Sequence, residues 1–212
     1  MSKIMYYDLE TTGVDYKVSS IRQISGFIEI DGVVMEEFNY MVRPIAKNLP
    51  QFPHNTWVGD EISINGVVWN RGAIELVKSQ GITSKDVENY RDTMEVFNEL
   101  QTMLLRYIGK FNNKDKFHLI GFNNRFFDDP FFRRWFEDCG EKYFGSYFWA
   151  DSIDALVIAS HHLKDRRHEM ENFKLMTVAR FLGIEVDESQ LHDALYDVKL
   201  TKEIYIRCTQ KT

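Results

Sequence analysis

Cysteine is nearly absent: the 212 residues hold two, Cys139 and Cys208. Two thiols cannot build a disulfide framework, and they fit a protein of the reducing cytoplasm. No apolar run approaches the roughly 20 residues that span a bilayer. The opening MSKIMYYDLE also lacks the layout of a secretory leader, so no membrane role is expected. A basic surplus is missing as well. There are 26 Lys and Arg against 32 Asp and Glu, a net charge of −6. That balance argues against broad, non-specific duplex binding. It leaves room for a nucleic-acid enzyme, because a metal site gathers acids locally and bound cations reverse the field. There is no phosphate-binding loop and no G-x-G-x-x-G, so a nucleotide cofactor has no support. No Cys/His set with zinc spacing occurs.

What is present is an ordinary globular composition, 44% hydrophobic and 27% charged, with 14% aromatic residues. No repeat or boundary is visible, so residues 1–212 read as one domain. Lys3–Leu9 reads as a strand entering a turn at Thr11-Thr12-Gly13. Ile21–Ile30 and Val33–Val42 are β-rich runs separated by Asp31-Gly32, a strong hairpin signal. Residues 44–70, with three of the four prolines, read as an irregular excursion. Helices are expected over Arg71–Ser79, from a Thr83 cap, and from a Thr93 cap with apolar residues at helical spacing through Ile108. Then come a strand over Lys116–Gly121, a helix over Asp128–Cys139 and a short strand over Tyr147–Ala150. Helices over Ile153–Leu163, Phe173–Leu182 and Asp193–Arg207 complete the chain. Three antiparallel strands followed by alternating helices and strands indicate an α/β fold with a mixed central sheet flanked by helices.

Three stretches carry candidate chemistry. In YYDLETTG (6–13), Asp8 and Glu10 project from one face of a strand. Burying two like charges is costly without a positive partner. Either the strand end is exposed and the acids are solvated, or the pair holds a hard divalent cation. In GFNNRFFDDPFFRRWF (121–136), Asp128 or Asp129 stands at a strand-to-helix junction, where an acid commonly caps the helix. In HDALYDVKLT (192–201), His192 and Asp197 are five residues apart, about 140° on a helix. They share a face only if His192 precedes the helix proper, and Asp193 is the alternative cap.

Together D-x-E-T-T-G, G-F-N-N-x-x-F-D-D and H-x-x-x-x-D resemble, in order and across nearly the whole chain, the DEDD exonucleases that carry a histidine. These are the proofreading-type 3′–5′ exonucleases of ribonuclease H-like fold, and the likeness extends to the bacterial exonuclease I branch. The resemblance implies metal ligation by Asp8, Glu10, Asp128 and Asp197, with Asp128 chosen over Asp129 by its F-D junction. It implies a catalytic pair in Glu10 and His192, the histidine as general base. It implies two Mg²⁺ ions, with Mn²⁺ able to substitute. Contacts to the terminal nucleotide are expected from Leu9, Thr11, Thr12, Gly13 and Asn123, although Gly13 also suits a plain tight turn. The implied activity is metal-dependent removal of nucleoside 5′-monophosphates from 3′ ends of single-stranded nucleic acid, DNA before RNA. Alternatives are an exoribonuclease, a proofreading subunit with a polymerase or other replication or repair partner, and an inactive nucleic-acid-binding module. Exonuclease I has further C-terminal domains that grip the strand, and this sequence ends just after its last expected helix, so high processivity is not expected.

Two further stretches have competing readings. HHLKDRRHEMEN (161–172) is either a solvated loop or a contact to the substrate backbone through Arg166 and Arg167. The aromatics of FFDDPFFRRWF (126–136) are either core or base-stacking surfaces.

Overall fold

The computed structural model describes residues 1–47, 49–187, 190 and 193–210. Strands β1 (Lys3–Thr11), β2 (Ile21–Ile30) and β3 (Val33–Met41) form the expected antiparallel meander. The β2–β3 turn works because Asp31 and Gly32 both take positive φ, 48° and 85°, as a two-residue hairpin of matching twist requires. Strand β7 (His118–Gly121) adds parallel to β1, and β8 (Ile153–Asp154) adds parallel to β7. The sheet order is β3-β2-β1-β7-β8, a mixed sheet of ribonuclease H-like fold.

Side-chain alternation along β1 sorts its two faces. Met5, Tyr7 and Leu9 enter the large core beneath helices α3 (Thr93–Leu105) and α4 (Asp128–Asp138). That core is dense in rings; Phe132, Phe136, Phe144 and Phe148 pack with centroids 4.7–5.9 Å apart. Tyr6 faces the other way, stacks on Phe27 at 4.8 Å and clusters with Ile120 and Val198. Val198 belongs to the final helix α7 (Ala194–Thr209), so Asp8 and Glu10, two and four residues beyond Tyr6, continue on the face that α7 covers. Helices α5 (Ala155–His162) and α6 (Leu175–Phe181) pack against α7 in a second cluster.

Three expectations are corrected. Residues 44–70 are not irregular throughout: β4 (Trp57–Val58), β5 (Glu61–Ile64) and β6 (Val67–Asn70) form a separate antiparallel sheet. Its β5–β6 turn is Asn65-Gly66, at φ 52° and 78°. With α1 (Arg71–Ser79) and α2 (Ser84–Glu88) it closes a small apolar cluster around Trp69, Val77 and Val87. Second, Tyr147–Ala150 is not a strand. A tight turn over Phe144–Ser146 runs directly into this segment, Phe144, Tyr147 and Phe148 are all buried in the ring cluster, and Phe148 makes only an isolated bridge to Phe117. The fifth strand is β8 instead. Third, Asp92, not Thr93, caps α3 by accepting from Met94 N at 2.9 Å. The Thr93 hydroxyl accepts from Trp135 Nε1 at 2.8 Å.

Candidate active site

The acids converge from three parts of the chain. Asp8 and Glu10 lie near the end of β1, Asp128 opens α4, and Asp197 lies in the first turn of α7. Asp128 is 4% exposed and does not serve as the helix cap; that position is Phe127, which has no side-chain capping bond. Asp128 Oδ1 instead accepts the backbone N–H of Leu9 at 3.1 Å. The capping role read into the third stretch falls to Asp193, which accepts from Leu195 N at 2.9 Å and Tyr196 N at 3.2 Å. His192 lies outside the described residues.

Electrostatics ties the four acids together. Burial, then the charges of Asp128, Glu10 and Asp197, pushes the Asp8 carboxyl well above the usual carboxylate range. Burial raises Asp128 as well; the Leu9 N–H opposes it, while Asp129 and Glu10 add to it. Asp197 is pushed up to about 7 by burial, Glu10 and Asp193. These are carboxylates held close in a low-dielectric place, the arrangement that neutral pH penalises most without a cation. Among the described residues, no three Asp, Glu, His or Cys side chains already close around a single point. Glu10 Oε2 accepts from Arg22 Nη2 at 2.9 Å. The donor set fits hard divalent ions: it is all carboxylate oxygen, with Asp128 buried and Asp8, Glu10 and Asp197 half-buried.

The residues expected to meet a nucleotide sit on the turn beyond β1 and the loop beyond β7. Leu9 is buried. Thr11 Oγ1 donates to Gly13 O at 2.6 Å. Thr12, fully buried, donates its hydroxyl to Val68 O at 2.7 Å, and its own carbonyl accepts from Asn70 N at 2.7 Å. The small sheet is thereby pinned to this turn. A Cβ on Gly13 would meet Ser19 Oγ at 2.4 Å, so close approach, rather than a left-handed backbone, calls for glycine here. Asn123 is exposed at φ 64°, and its N–H donates to Asp154 Oδ1 at 2.9 Å.

Asp129, weighed above as the alternative to Asp128, takes a supporting role, and Arg22 was not anticipated. Asp129 accepts hydrogen bonds from the Tyr7 hydroxyl, the Ser152 hydroxyl and Asn124 Nδ2. It ties the head of α4 to β1, and the Asp-Asp doublet was its signal. Arg22 is 1% exposed; a lone cation inside the apolar run IRQISGFIEI was visible in the sequence. Elsewhere, Arg166 already pairs with Glu169 at 2.8 Å and lies 4.5 Å over the Phe181 ring. Arg167 donates to Ser160 Oγ and lies 4.2 Å over Phe173. Phe131, Phe132, Trp135 and Phe136 are core, whereas Phe126 is 90% exposed.

Residues 69–205 match a family model described as an exonuclease, of the RNase T type. That span includes Asp128 and Asp197; Asp8 and Glu10 precede it. A DNA polymerase III of the PolC type from Thermotoga petrophila is 28% identical over 200 residues, 94% of this chain. The counterpart from Thermotoga maritima is 26% identical over the same share. The chain spans only 11% of the length of these relatives. Among solved structures, E. coli exonuclease I in complex with a dT13 oligonucleotide superposes with a TM-score of 0.65 at 19% identity, over 98% of this chain and 41% of that one. A zinc-bound form of the E. coli exonuclease I–single-stranded DNA complex gives 0.63 at 17%, over 99% and 41%. At these identities the likeness carries the fold.

Proposed function

Because the chain belongs to the exonuclease family, the DEDD-type 3′–5′ exonucleases, we propose that it removes nucleoside 5′-monophosphates from 3′ ends of single-stranded DNA. Residues 1–212 act as one exonuclease domain, in a reducing cytoplasm where both free thiols persist. The observation that carries this reading is that four acids from β1, α4 and α7, Asp128 buried and the others half-buried, share one electrostatic neighbourhood.

Asp8, Glu10, Asp128 and Asp197 would hold two Mg²⁺ ions, or Mn²⁺ in their place. Bound there, such ions supply an activated water and a counter-charge for the departing 3′ oxygen. The chain's own residues do the rest. The Leu9 N–H and the N-terminal end of α4 orient Asp128. Asp129, held by Tyr7, Ser152 and Asn124, fixes that helix end. His192 accepts the attacking water's proton on an imidazole nitrogen, its ordinary pKa lying near neutrality. The water oxygen bonds to phosphorus, the bond from phosphorus to the penultimate 3′ oxygen breaks, and that oxygen leaves as an alkoxide that takes a proton from solvent to become the new 3′-hydroxyl. Leu9, Thr11, Thr12, Gly13 and Asn123 would shape the place of the terminal nucleotide; Thr12, fully buried with its hydroxyl, N–H and carbonyl all engaged, would do so by fixing the turn. The exposed Phe126 ring, two residues before Asp128, offers a stacking face to a base.

A second reading is proofreading beside a polymerase, favoured by the PolC-type relatives that align over 94% of this chain. Comigration with a polymerase would support it. The primary test is degradation of matched 3′- and 5′-labelled DNA and RNA oligomers, with Mg²⁺ and with chelator. Mononucleotide release from the 3′ end of DNA, abolished by chelator, supports the proposal; endonucleolytic products or chelator-resistant cleavage overturn it.

A further inference from the structure

Glu10 pairs with Gln23, and Thr11 pairs with Ile21, so Arg22 is the extra residue of a β-bulge in β2. A bulge re-aims the side chain it carries. Here it points a guanidinium inward: the side chain is 1% exposed, and its Nη2 donates to Glu10 Oε2 at 2.9 Å. Among the described residues, Arg22 Nε and Nη1 find no hydrogen-bond partner. A buried cation with unmet donors is costly, and packing alone would favour an apolar residue at this position.

The surroundings supply a reason. Arg22 stands beside an acidic cluster whose members repel one another, and it engages the member that lies between Asp8 and the Thr11–Gly13 turn in sequence. We infer that Arg22 is a positioning residue that competes with divalent ions for Glu10 and so sets the metal affinity of the site. The inference rests on the proposed metal ligation above. With no ion bound, the guanidinium neutralises part of the cluster and fixes Glu10. When ions enter, a full positive charge lies one side chain away in a poorly screened place, and each ion binds more weakly than the four acids alone would allow. Arg22 therefore stabilises the ion-free fold and keeps the ions exchangeable.

The test uses ion binding, not turnover. Mn²⁺ is titrated into the full chain by calorimetry, without nucleic acid, for wild type, Arg22→Gln and Arg22→Lys. Arg22→Gln should melt lower in chelator yet bind Mn²⁺ about tenfold more tightly. Arg22→Lys keeps the charge and should stay within about twofold of wild type. Unchanged or weaker binding in Arg22→Gln would overturn the inference, since a purely structural arginine lowers stability without tightening ion binding. Should the variants not fold, Mg²⁺ is titrated into wild type and the Arg22 Nε–H resonance followed. A shift that saturates with the ion supports competition for Glu10; an indifferent signal refutes it. Asp8→Asn separates the two readings. If wild type binds Mn²⁺ and Asp8→Asn does not, the metal site stands and the arginine is judged by itself; if wild type binds none, both fall.

Discussion

The backbone N–H of Leu9 and the Asp128 carboxylate, 119 residues apart in sequence, meet at 3.1 Å. This one bond joins the strand that carries Asp8 and Glu10 to the helix that carries Asp128. It also explains why Asp128 is absent from the cap of its own helix: its oxygen is directed across to β1.

Asp8 is raised by burial and by three neighbouring acids, so it strains the ion-free fold. Asp8→Asn should therefore stabilise the protein in chelator. The melting temperature should rise by about 2–4 °C, the shift that roughly 1 kcal/mol produces in a domain of this size. The same substitution should reduce nuclease activity more than about a hundredfold, beyond the usual cost of losing a group behind the ligands. Differential scanning calorimetry and a labelled-oligonucleotide assay check the two halves.

Asp197 sits at about 7 in the folded protein, against about 3.9 for an unfolded aspartate. Between those values the folded state holds more protons than the unfolded state, so stability falls as pH rises through this window and levels off above it. Asp8 and Asp128 act in the same direction. Urea titrations in chelator at pH 5 and pH 8 should show greater stability at pH 5. Saturating Mg²⁺ should erase or reverse that difference, because ions take the place of protons.

Asp129 gathers three donors, and its loss leaves the Tyr7 hydroxyl buried without its partner. Tyr7→Phe removes one charge-assisted bond and should cost about 1.5–3 kcal/mol. By loosening the head of α4 it should also cut activity about 10–100-fold. Urea denaturation and kcat measured on the same preparations test the pair of effects.

Gly13→Ala forces a methyl against Ser19 Oγ and within 3.2 Å of Asn70 Cβ. Ser19 must turn aside and Asn70 give by a few tenths of an ångström, at about 1–3 kcal/mol, and KM for DNA should rise. Ser19→Ala in the same chain should recover part of the stability, since the nearest obstacle is that hydroxyl. The paired thermal melts would show no such recovery if the glycine served backbone freedom alone.

The meander was legible because its signals are local: β-rich runs and an Asp-Gly turn with the required positive φ. Arg71–Ser79 was legible by its spacing and a following glycine. The small sheet was less legible, although Asn65-Gly66 is the same kind of signal, because its strands are two to four residues long and follow a proline-rich stretch. The Tyr147–Ala150 strand was wrong because ring packing around Phe132 and Phe136 decides that segment, and ring packing is not written in a window of four residues. At the site, the alternation of Asp8 and Glu10 was readable from one strand. What brings Asp128 and Asp197 beside them is the parallel pairing of β1 with β7 and the docking of α7 on β1, which no local pattern encodes. Arg22 was visible as a cation in an apolar strand, but its aim depends on a register shift between two strands.

Crystals of the chain soaked in Mn²⁺ with a short single-stranded oligonucleotide and examined by anomalous scattering give the most direct test. The account predicts two peaks among the carboxylates of Asp8, Glu10, Asp128 and Asp197, both lost in Asp8→Asn. Bound, degradable DNA with no manganese among those four side chains would contradict it.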